Sequence, residues 1–358
     1  MTFRSGSPGG PRAIVHVTEG PPRCTFRPTM TARFSPRGAY TALVTPFHPD
    51  GSIDEATFDE LVRFQIDQGI DGLVPCGTTG ESPTLEWEEH DAIVERTAKI
   101  NAGARPILAG TGSNNTHEAI EATRNAKDCG ADAVLLVDCY YNGPSSLELR
   151  EEYYRRVLDA VPGIPVVPYI IPGRTGCALS AEDLAILHLE DPARVPAVKE
   201  ATGDLDRMRR DRALAGESLA ILSGDDDLAL PMMRDASIGA SGVISVMSNL
   251  VPAAMVAITR GAAEGSEEAD RLARALAPIF KLVSFGVEGT RTLPGGRTLA
   301  VSDKFRNPVP VKTMMAGLGM MPITMRPPLG KMSAPAVAAC RKALAELVAA
   351  DPSLLAPI

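Results

Sequence analysis

The sequence lacks clustered cysteines, long apolar runs and an excess of basic residues, and each absence excludes a class of protein. Its six cysteines are widely scattered and form no CxxC pair, which argues against a disulfide framework or a zinc site and predicts reduced thiols in the cytoplasm. No apolar run approaches the roughly 18 residues that a membrane span requires. The formal net charge of -8 and the pI of about 5.3 are opposite to the basic surface typical of nucleic-acid binding. We therefore predict a cytoplasmic protein that engages neither membranes nor nucleic acids.

The first 36 residues differ in composition from the rest of the chain. They contain five arginines, six prolines and four glycines, whereas Glu19 is their single acidic residue. They have no secretory apolar segment, and they lack the amphipathic spacing of an organellar transit peptide. We expect residues 1–36 to be a disordered tail, or a segment that precedes the true initiator Met30.

From residue 39 onward, short β-branched or apolar runs recur, and each is followed by a helical stretch. The eight runs occupy residues 39–44, 72–75, 106–109, 133–137, 165–170, 195–198, 219–222 and 242–246. Apolar strands that alternate with amphipathic helices are typical of a parallel sheet covered on both faces. Eight such units predict a (β/α)8 TIM barrel over residues 37–249, rather than an open sheet, and no GxGxxG motif follows the first strand.

Polar residues mark the starts of several predicted helices. A hydroxyl followed by a carboxylate three residues later is the pattern of a capping box, in which both side chains satisfy free backbone amides. The pairs are Ser52 with Glu55, Ser145 with Glu148, and Ser180 with Asp183. These pairs predict helices that begin directly after them.

The chain beyond residue 250 follows a different pattern. Residues 250–286 and 309–350 are rich in Ala, Leu and Met and predict helices, whereas the Gly/Thr/Arg-rich segment between them has little periodicity. We therefore predict a C-terminal helical layer over residues 250–358, interrupted by a loop insertion at about residues 287–306.

Lys199 is the most informative residue at the predicted active-site end of the barrel, where the strands reach their carboxyl ends. Only eight of the 36 basic residues are lysines. Lys199 follows the apolar residues 195–198, so its side chain should start inside the barrel mouth. A lysine is a nucleophile only when neutral, and burial favours the neutral form. The alternative is a structural salt bridge to Glu200 or Asp225.

Other polar residues at the same end of the barrel favour the chemical interpretation. The glycines of the turn at residues 77–80 permit close backbone approach, so its amides can hold a carboxylate while its two hydroxyls relay protons. Tyr141 and Tyr169 are either proton donors or packing aromatics with a solvated hydroxyl. Arg174 is either a bidentate carboxylate clamp or a surface arginine. The convergence of these groups on one rim favours a reactive Lys199.

Several motifs occur in chain order over roughly residues 38–350. They are GTTGES at 77–82, YYN at 140–142, PGRTG at 172–176 after Tyr169, VKEATG at 198–203, LSGDD at 222–226, GVISV at 242–246 and NPVPVK at 307–312. In these motifs the sequence resembles the dihydrodipicolinate synthase / N-acetylneuraminate lyase family. The Thr-Thr pair in the first motif, in place of Ser-Thr, is typical of the dihydrodipicolinate synthase branch.

The resemblance implies a Schiff-base aldolase that needs no metal and no organic cofactor. Lys199 would form an imine with pyruvate, and the amides of Thr78 and Thr79 would hold the pyruvate carboxylate. Ile244 and Gly224 would lie beside the bound pyruvate. The product, 4-hydroxy-tetrahydrodipicolinate, belongs to lysine and diaminopimelate biosynthesis.

The resemblance also implies a second substrate and an assembly. Tyr169 would shuttle protons, connected through the Thr78 hydroxyl to Tyr141 of the neighbouring subunit. Arg174 would receive the carboxylate of aspartate semialdehyde. Members of the family are usually homotetramers built from tight dimers, so we expect a homo-oligomer of this kind.

Three departures from the family pattern leave the second substrate open. Ile170-Ile171 stand where Asn-Val is common, Asp138-Cys139 stand where Thr-Pro is common, and residues 287–306 are inserted. One alternative is a related pyruvate aldolase or dehydratase that acts on a sugar acid, as N-acetylneuraminate lyase does. Another is a non-catalytic keto-acid-binding paralogue, which the retention of the whole reactive set disfavours.

Regulated members of the family bind lysine at the tight-dimer interface, beside the tyrosine pair. The matching positions here are Ser82, Trp87, His90, Asn114, Glu118 and Tyr140. Glu118 would pair with the ammonium of a free lysine, Asn114 and Tyr140 would bind its carboxylate, and Trp87 would cover its stem. The alternative is that Trp87 simply packs a dimer interface, as aromatics often do.

Overall fold

The computed structural model describes residues 34–355 and contains an eight-stranded parallel sheet. The first strand pairs with both the second and the eighth, and a bridge between Leu73 and Ile107 joins the second strand to the third and closes the ring. The strands are β1 Gly38–Ala42, β2 Gly72–Val74, β3 Leu108–Gly110, β4 Ala133–Val137, β5 Val166–Ile170, β6 Ala197–Glu200, β7 Ala220–Ser223 and β8 Gly242–Ser245. The predicted (β/α)8 barrel is confirmed, since each predicted run overlaps one strand.

Helices cover the outside of the barrel and continue into a C-terminal layer. Around the barrel lie α1 Glu55–Asp67, α2 Trp87–Asn101, α3 Thr116–Asp128, α4 Ser146–Glu148, α5 Arg155–Ala160, α6 Pro172–Thr175, α7 Ala181–Glu190, α8 Leu205–Ala215 and α9 Ala229–Arg234. A π-helical turn, Leu149–Tyr154, joins α4 to α5. The C-terminal layer contains α10 Pro252–Glu264, α11 Glu267–Phe280, α12 Val309–Gly317 and α13 Ala334–Ala350. The predicted helical layer is therefore present.

The predicted helix starts are confirmed in two cases and wrong in one. The Ser145 side chain caps α4 in a reciprocal capping box, and the Ser180 side chain caps α7. The predicted cap at Ser52 is wrong because the chain turns into α1 two residues later. There the Asp54 carboxylate accepts a hydrogen bond from the Thr57 amide at 3.1 Å. A carboxylate at this position satisfies the free amide as well as a hydroxyl does.

The barrel strands separate two apolar regions, because successive side chains of a strand point to opposite faces. In β6, Ala197 and Lys199 face the lumen, whereas Val198 and Glu200 face the surrounding helices. The lumen cluster contains Phe34, Tyr40, Ala42, Val74, Leu108, Ala133, Leu135, Val167, Tyr169, Ala197, Leu222 and Ile244. A packed lumen leaves room for chemistry only at its ends, and Lys199 lies at the carboxyl end of its strand.

Residues 284–306 form an antiparallel hairpin, so the predicted loop insertion at about 287–306 is wrong. Its strands are β9 Ser284–Thr292 and β10 Thr298–Arg306, paired along their full lengths. In the connecting turn the Leu293 amide donates to the Arg297 carbonyl at 2.9 Å. One face of the hairpin packs its larger apolar side chains against the core. Such a strand requires apolar and polar residues to alternate along the sequence. Here the exposed positions are occupied by glycine, threonine and arginine, so the alternation is hard to recognise.

Residues 1–33 lie outside the described part of the chain. The structure therefore does not test the expectation of a disordered tail or of an initiator at Met30. Phe34 is buried in the lumen cluster, so the barrel domain begins before the predicted boundary at residue 37. Within residues 34–355, no helix has both the length and the apolar character needed to cross a membrane.

Candidate active site

Lys199 lies in the barrel lumen without a carboxylate partner. It is 5% exposed, and its amine lies 4.1 Å from the centre of the Tyr169 ring. Glu200, the next residue, points out of the barrel, where its carboxylate accepts from the Thr202 amide at 3.0 Å and from the Arg207 Nε at 3.2 Å. No salt bridge to Lys199 forms within residues 34–355. The alternative of a structural Lys199–Glu200 ion pair is therefore wrong.

A cavity of about 240 Å³ opens at the carboxyl ends of the strands and exposes Lys199 to solvent-borne molecules. Six of the predicted site residues line it, and they lie in or directly after four different strands, β2, β5, β6 and β7. They are Thr78, Thr79, Tyr169, Arg174, Lys199 and Gly224. The remaining predicted substrate contact, Ile244, is fully buried in the lumen cluster together with Tyr169. The sequence motifs therefore converge on one chamber around the lysine.

Gly224 makes room for the reactive side chain. The backbone amide of Gly224 donates to the Glu200 carbonyl at 2.7 Å, which holds the end of β7 close to the end of β6. A Cβ atom at this position would lie 2.5 Å from the Ala201 Cβ and 3.2 Å from the Lys199 Cε. Any other residue here would have to displace Ala201 and would crowd the lysine stem.

The Gly-Thr-Thr-Gly turn is held by a residue that follows the hairpin. Thr78–Gly80 forms a single 3₁₀ turn, and Thr79 is 2% exposed. The Asn307 side-chain amide donates to the Thr79 hydroxyl at 2.9 Å. The sequence marks Asn307 only as part of a family motif, and its contact to Thr79 spans 228 positions of sequence. No local pattern could have revealed this contact.

Below the turn, Glu81 and Lys312 form a fully buried ion pair. Both side chains are inaccessible to solvent, and the Lys312 amine also donates to the Thr45 carbonyl at 2.9 Å. Glu81 has a left-handed backbone φ of 57°, and its second carboxylate oxygen accepts from the Arg326 amide at 3.1 Å. Burial lowers the pKa of Lys312, whereas the Glu81 carboxylate raises it. This second buried lysine is therefore engaged in structure, unlike Lys199.

Arg174 lies on α6, directly after β5, and reaches into the same cavity. Its Nη2 donates to the Asn307 carbonyl at 2.9 Å. Partial burial, and with it the positive charge of Arg306, lowers the pKa of the Arg174 guanidinium, whereas Tyr169 raises it. Arg174 and Thr79 both line the chamber, and both bond to Asn307. An anion in the chamber would relieve the repulsion between the two arginines.

Tyr141 points away from the cavity of its own chain. Its side chain is 91% exposed, and its backbone φ is 75°, a left-handed conformation that is uncommon for a residue other than glycine. The Tyr141 amide bonds to the Thr175 carbonyl at 3.4 Å. Strained backbone and a solvent-exposed aromatic ring together are typical of a residue positioned for a partner.

Two neighbouring aspartates after β7 have separate environments. Asp226 accepts hydrogen bonds from the amides of Val246 and Met247 at 3.1 and 3.2 Å, which orders the turn after β8. Asp225 lines the cavity. Burial raises the pKa of Asp225 to about 6, the charge of Asp227 adds to the rise, and the nearby Lys199 opposes it. Asp225 is the carboxylate among the cavity-lining residues.

The residues predicted to bind lysine are only partly brought together. Ser82, Trp87, Glu118 and Tyr140 line a cavity of about 220 Å³ that Thr78 and Tyr169 also line. Asn114 lines a different pocket, toward α4. His90 is 1% exposed under the Trp87 ring, and its Nε2 lies 2.7 Å from the Gly110 carbonyl. The first cavity therefore brings four of the predicted regulatory residues beside Thr78 and Tyr169, which are predicted to relay protons.

The residues between 34 and 355 contain no group of three or more His, Cys, Asp or Glu side chains arranged to hold a metal ion. The cavity around Lys199 is lined by hydroxyl, ammonium and guanidinium groups in addition to Asp225. Such a donor set suits anionic organic molecules better than cations.

Comparison with known proteins gives a consistent assignment. The Dihydrodipicolinate synthetase family profile matches residues 35–288. The chain is 40% identical over 293 residues to the 4-hydroxy-tetrahydrodipicolinate synthase of Nitratidesulfovibrio vulgaris, covering 82% of this chain and 91% of that protein. The corresponding enzyme of Pelobacter propionicus is 40% identical over 297 residues, or 83% and 93% of the two chains.

Solved structures agree with this. The dihydrodipicolinate synthase from Aquifex aeolicus superposes with a TM-score of 0.77 at 36% identity, covering 90% of this chain and all of that one. The lysine-bound enzyme from Cyanidioschyzon merolae has a TM-score of 0.76 at 32% identity and covers 87% and 98% of the two chains. The profile, the relatives and the barrel with its buried lysine all agree. The chain belongs to the dihydrodipicolinate synthetase family of lyases.

Proposed function

We propose that the protein condenses pyruvate with aspartate semialdehyde to 4-hydroxy-tetrahydrodipicolinate through a Schiff base on Lys199. The observation that carries this proposal is the position of Lys199: a buried amine, unpaired with any carboxylate of residues 34–355, at the floor of a chamber lined by anion-binding groups. A lysine that forms no salt bridge keeps its amine available to attack a carbonyl carbon bound in the chamber.

The first half of the reaction uses the turn at Thr78–Gly80. The Lys199 amine attacks the keto carbon of pyruvate, and loss of water leaves an imine. The backbone amides of Thr78 and Thr79 hold the pyruvate carboxylate. The methyl group of the pyruvate imine then loses a proton toward Tyr169. The resulting enamine is the carbon nucleophile.

The second half uses Arg174. Its guanidinium binds the carboxylate of aspartate semialdehyde, which holds the aldehyde carbon in reach of the enamine. Carbon–carbon bond formation leaves an alkoxide that takes a proton through Tyr169. The amino group of the semialdehyde then attacks the imine carbon, closes the ring and releases the Lys199 amine. Overall, one water molecule is released for each molecule of cyclic product formed.

The exposed Tyr141 supports an assembly in which two chains complete each other's site. The Tyr141 side chain is 91% exposed, on left-handed backbone, and it does not line the cavity around Lys199 of its own chain. We propose that Tyr141 reaches the Thr78 hydroxyl of a partner subunit in a tight dimer, and that two dimers form a homotetramer.

We also propose that the protein is cytoplasmic. The five cysteines within residues 34–355 are free thiols, which fits a reducing cytoplasm.

Coupled turnover tests the proposal directly. Purified protein is supplied with pyruvate and aspartate semialdehyde, and beside it with pyruvate and N-acetylmannosamine. We expect formation of the cyclic product in the first reaction and no aldol product in the second. Preference for N-acetylmannosamine would identify a sugar-acid aldolase, and absence of product from both would refute the proposed second substrate.

A further inference from the structure

The base of the β9–β10 hairpin is part of the wall of the active-site cavity. Its two faces are different, because side chains alternate along each strand. Phe285, Val287 and Phe305 pack toward the core, and the rings of Phe285 and Phe305 lie 6.4 Å apart. The opposite face presents Ser284, Lys304 and Arg306, and all three line the chamber that contains Lys199. The family profile match ends at residue 288, so most of this hairpin lies beyond it.

Two crossed hydrogen bonds tie the hairpin base to the Arg174 turn. The Arg174 Nη2 donates to the Asn307 carbonyl at 2.9 Å, and the Arg306 Nη1 donates to the Gly173 carbonyl at 3.1 Å. Each guanidinium therefore donates one hydrogen bond to a backbone carbonyl next to the other arginine. A guanidinium has five N–H donors in a planar fork, so most remain for a ligand. The crossing holds Arg174 and Arg306 side by side at the rim.

The charges around the chamber are unbalanced. Besides the Lys199 amine, three basic side chains line it, against the carboxylate of Asp225. They are Arg174, Lys304 and Arg306. The hairpin also contains Arg291, but that residue is neutralised on the hairpin itself, with its Nη2 2.8 and 2.9 Å from the two Asp303 carboxylate oxygens. Lys304 and Arg306 form no salt bridge within residues 34–355.

We propose that Lys304 and Arg306 complete, with Arg174, a cationic subsite for the carboxylate of the aldehyde substrate. The hairpin is then a specificity determinant: it selects aldehydes that carry an anionic group at the end remote from the reacting carbon. Lys304 and Arg306 are binding residues that touch this substrate only, because pyruvate lies deeper, between Lys199 and the threonine turn. The inference rests on the proposed function for the identity of the aldehyde.

The test compares hairpin variants that lose the same charge at different places. Lys304→Met and Arg306→Met remove a cation from the chamber wall, whereas Arg297→Met removes one from the exposed hairpin turn. For each chamber variant we expect the KM for aspartate semialdehyde to rise about five- to tenfold, and for the double variant more. The dependence of kcat/KM on salt should become shallower in the same order, while Arg297→Met behaves as the wild type.

Pyruvate supplies the internal control. Trapping of the pyruvate imine with borohydride, and its dependence on pyruvate concentration, should be unchanged in all three variants, which also shows that they are folded. Unchanged KM for aspartate semialdehyde in both chamber variants, or an equal rise in Arg297→Met, would overturn the inference and leave the proposed function intact. A wild-type protein that forms the pyruvate adduct but does not consume aspartate semialdehyde would instead refute the proposed function.

Discussion

Tyr169 and Lys199 are direct partners across β5 and β6, and the lysine amine lies 4.1 Å from the centre of the tyrosine ring. Backbone hydrogen bonds between β5 and β6 set this register. Because residues directly opposite each other point to the same face of a sheet, both side chains point into the lumen. A slip of one residue in β6 would turn Lys199 out toward the helices and bring Glu200 in. The strand pairing of the barrel therefore determines that Tyr169 and Lys199 lie side by side in the lumen.

The identity of the nucleophile is tested by trapping. With pyruvate and borohydride, we expect one pyruvate-derived mass on the peptide that contains Lys199, measured by mass spectrometry. Lys199→Ala should lose the adduct and at least roughly a thousandfold in turnover, since the covalent step is removed. Lys312 is the matched control because it is also buried but paired with Glu81. An adduct on Lys312, or none at all, would contradict the mechanism.

Gly224 is predicted to be a steric requirement for imine formation. Gly224→Ala places a methyl group against the Ala201 Cβ and the Lys199 stem, so we expect adduct formation to slow about tenfold or more while the barrel stays folded. Gly173→Ala is the control, since a Cβ there meets nothing within 4 Å although the residue lines the same cavity. Rapid-quench trapping measures both rates. Equal rates in the two variants would mean that Lys199 tolerates displacement.

Arg174 should be required for the second substrate only. Arg174→Lys retains the charge but loses the planar fork, so kcat/KM for aspartate semialdehyde should fall roughly 10- to 100-fold. Trapping of pyruvate should survive, because we propose that the threonine turn, and not Arg174, holds pyruvate. Steady-state kinetics beside borohydride trapping separates the two effects. Parallel loss of both would show that Arg174 supports the chamber instead of a substrate.

Mixing experiments test whether Tyr141 acts across a subunit interface. Tyr141→Phe and Lys199→Ala proteins, each inactive alone, should regain activity when their subunits exchange, because one site in a mixed dimer has both groups. The control pair is Tyr169→Phe with Lys199→Ala. These two residues lie in the cavity of one chain, so no mixed site is complete. Exchange is verified by native mass spectrometry, and no recovery in the first pair would place Tyr141 in its own subunit's site.

Feedback by lysine is tested through the single tryptophan. The cavity lined by Trp87, Glu118 and Tyr140 also reaches Thr78, so a ligand bound there would lie beside the proposed proton relay. Millimolar lysine should lower turnover and change Trp87 fluorescence, and Glu118→Ala should abolish both effects. Glu121→Ala, on the same helix but engaged with Arg124, should leave them intact. Full activity with unchanged fluorescence at high lysine would mean that these residues serve only an interface.

Much of the fold was predictable because the barrel is encoded locally. Apolar runs of strand length between amphipathic segments specify eight repeated units, and the position of Lys199 at the end of one run places its amine in the mouth. Helix caps were less certain, because Ser52 and Asp54 both carry acceptors near the same helix start, and only the path of the chain selects Asp54.

The remainder depends on contacts between distant parts of the chain. Asn307 meets Thr79 and Arg174 only after the C-terminal layer has folded over the barrel mouth. The choice of Glu81 as the partner of Lys312 is likewise a tertiary event. The hairpin was predicted as a loop because its exposed positions carry turn-like residues, although the Pro294-Gly295-Gly296 sequence between two alternating runs is a hairpin signal.

The exposed Tyr141 has a consequence for how the protein behaves at low concentration. If its hydroxyl completes a partner's site, a single chain is an incomplete catalyst, and specific activity obeys mass action. Dilution below the dissociation constant of the dimer should inactivate the protein without unfolding it. When dilute protein is concentrated again and assayed, activity should return only after a lag. Expression level would then set the activity per molecule as well as the number of molecules.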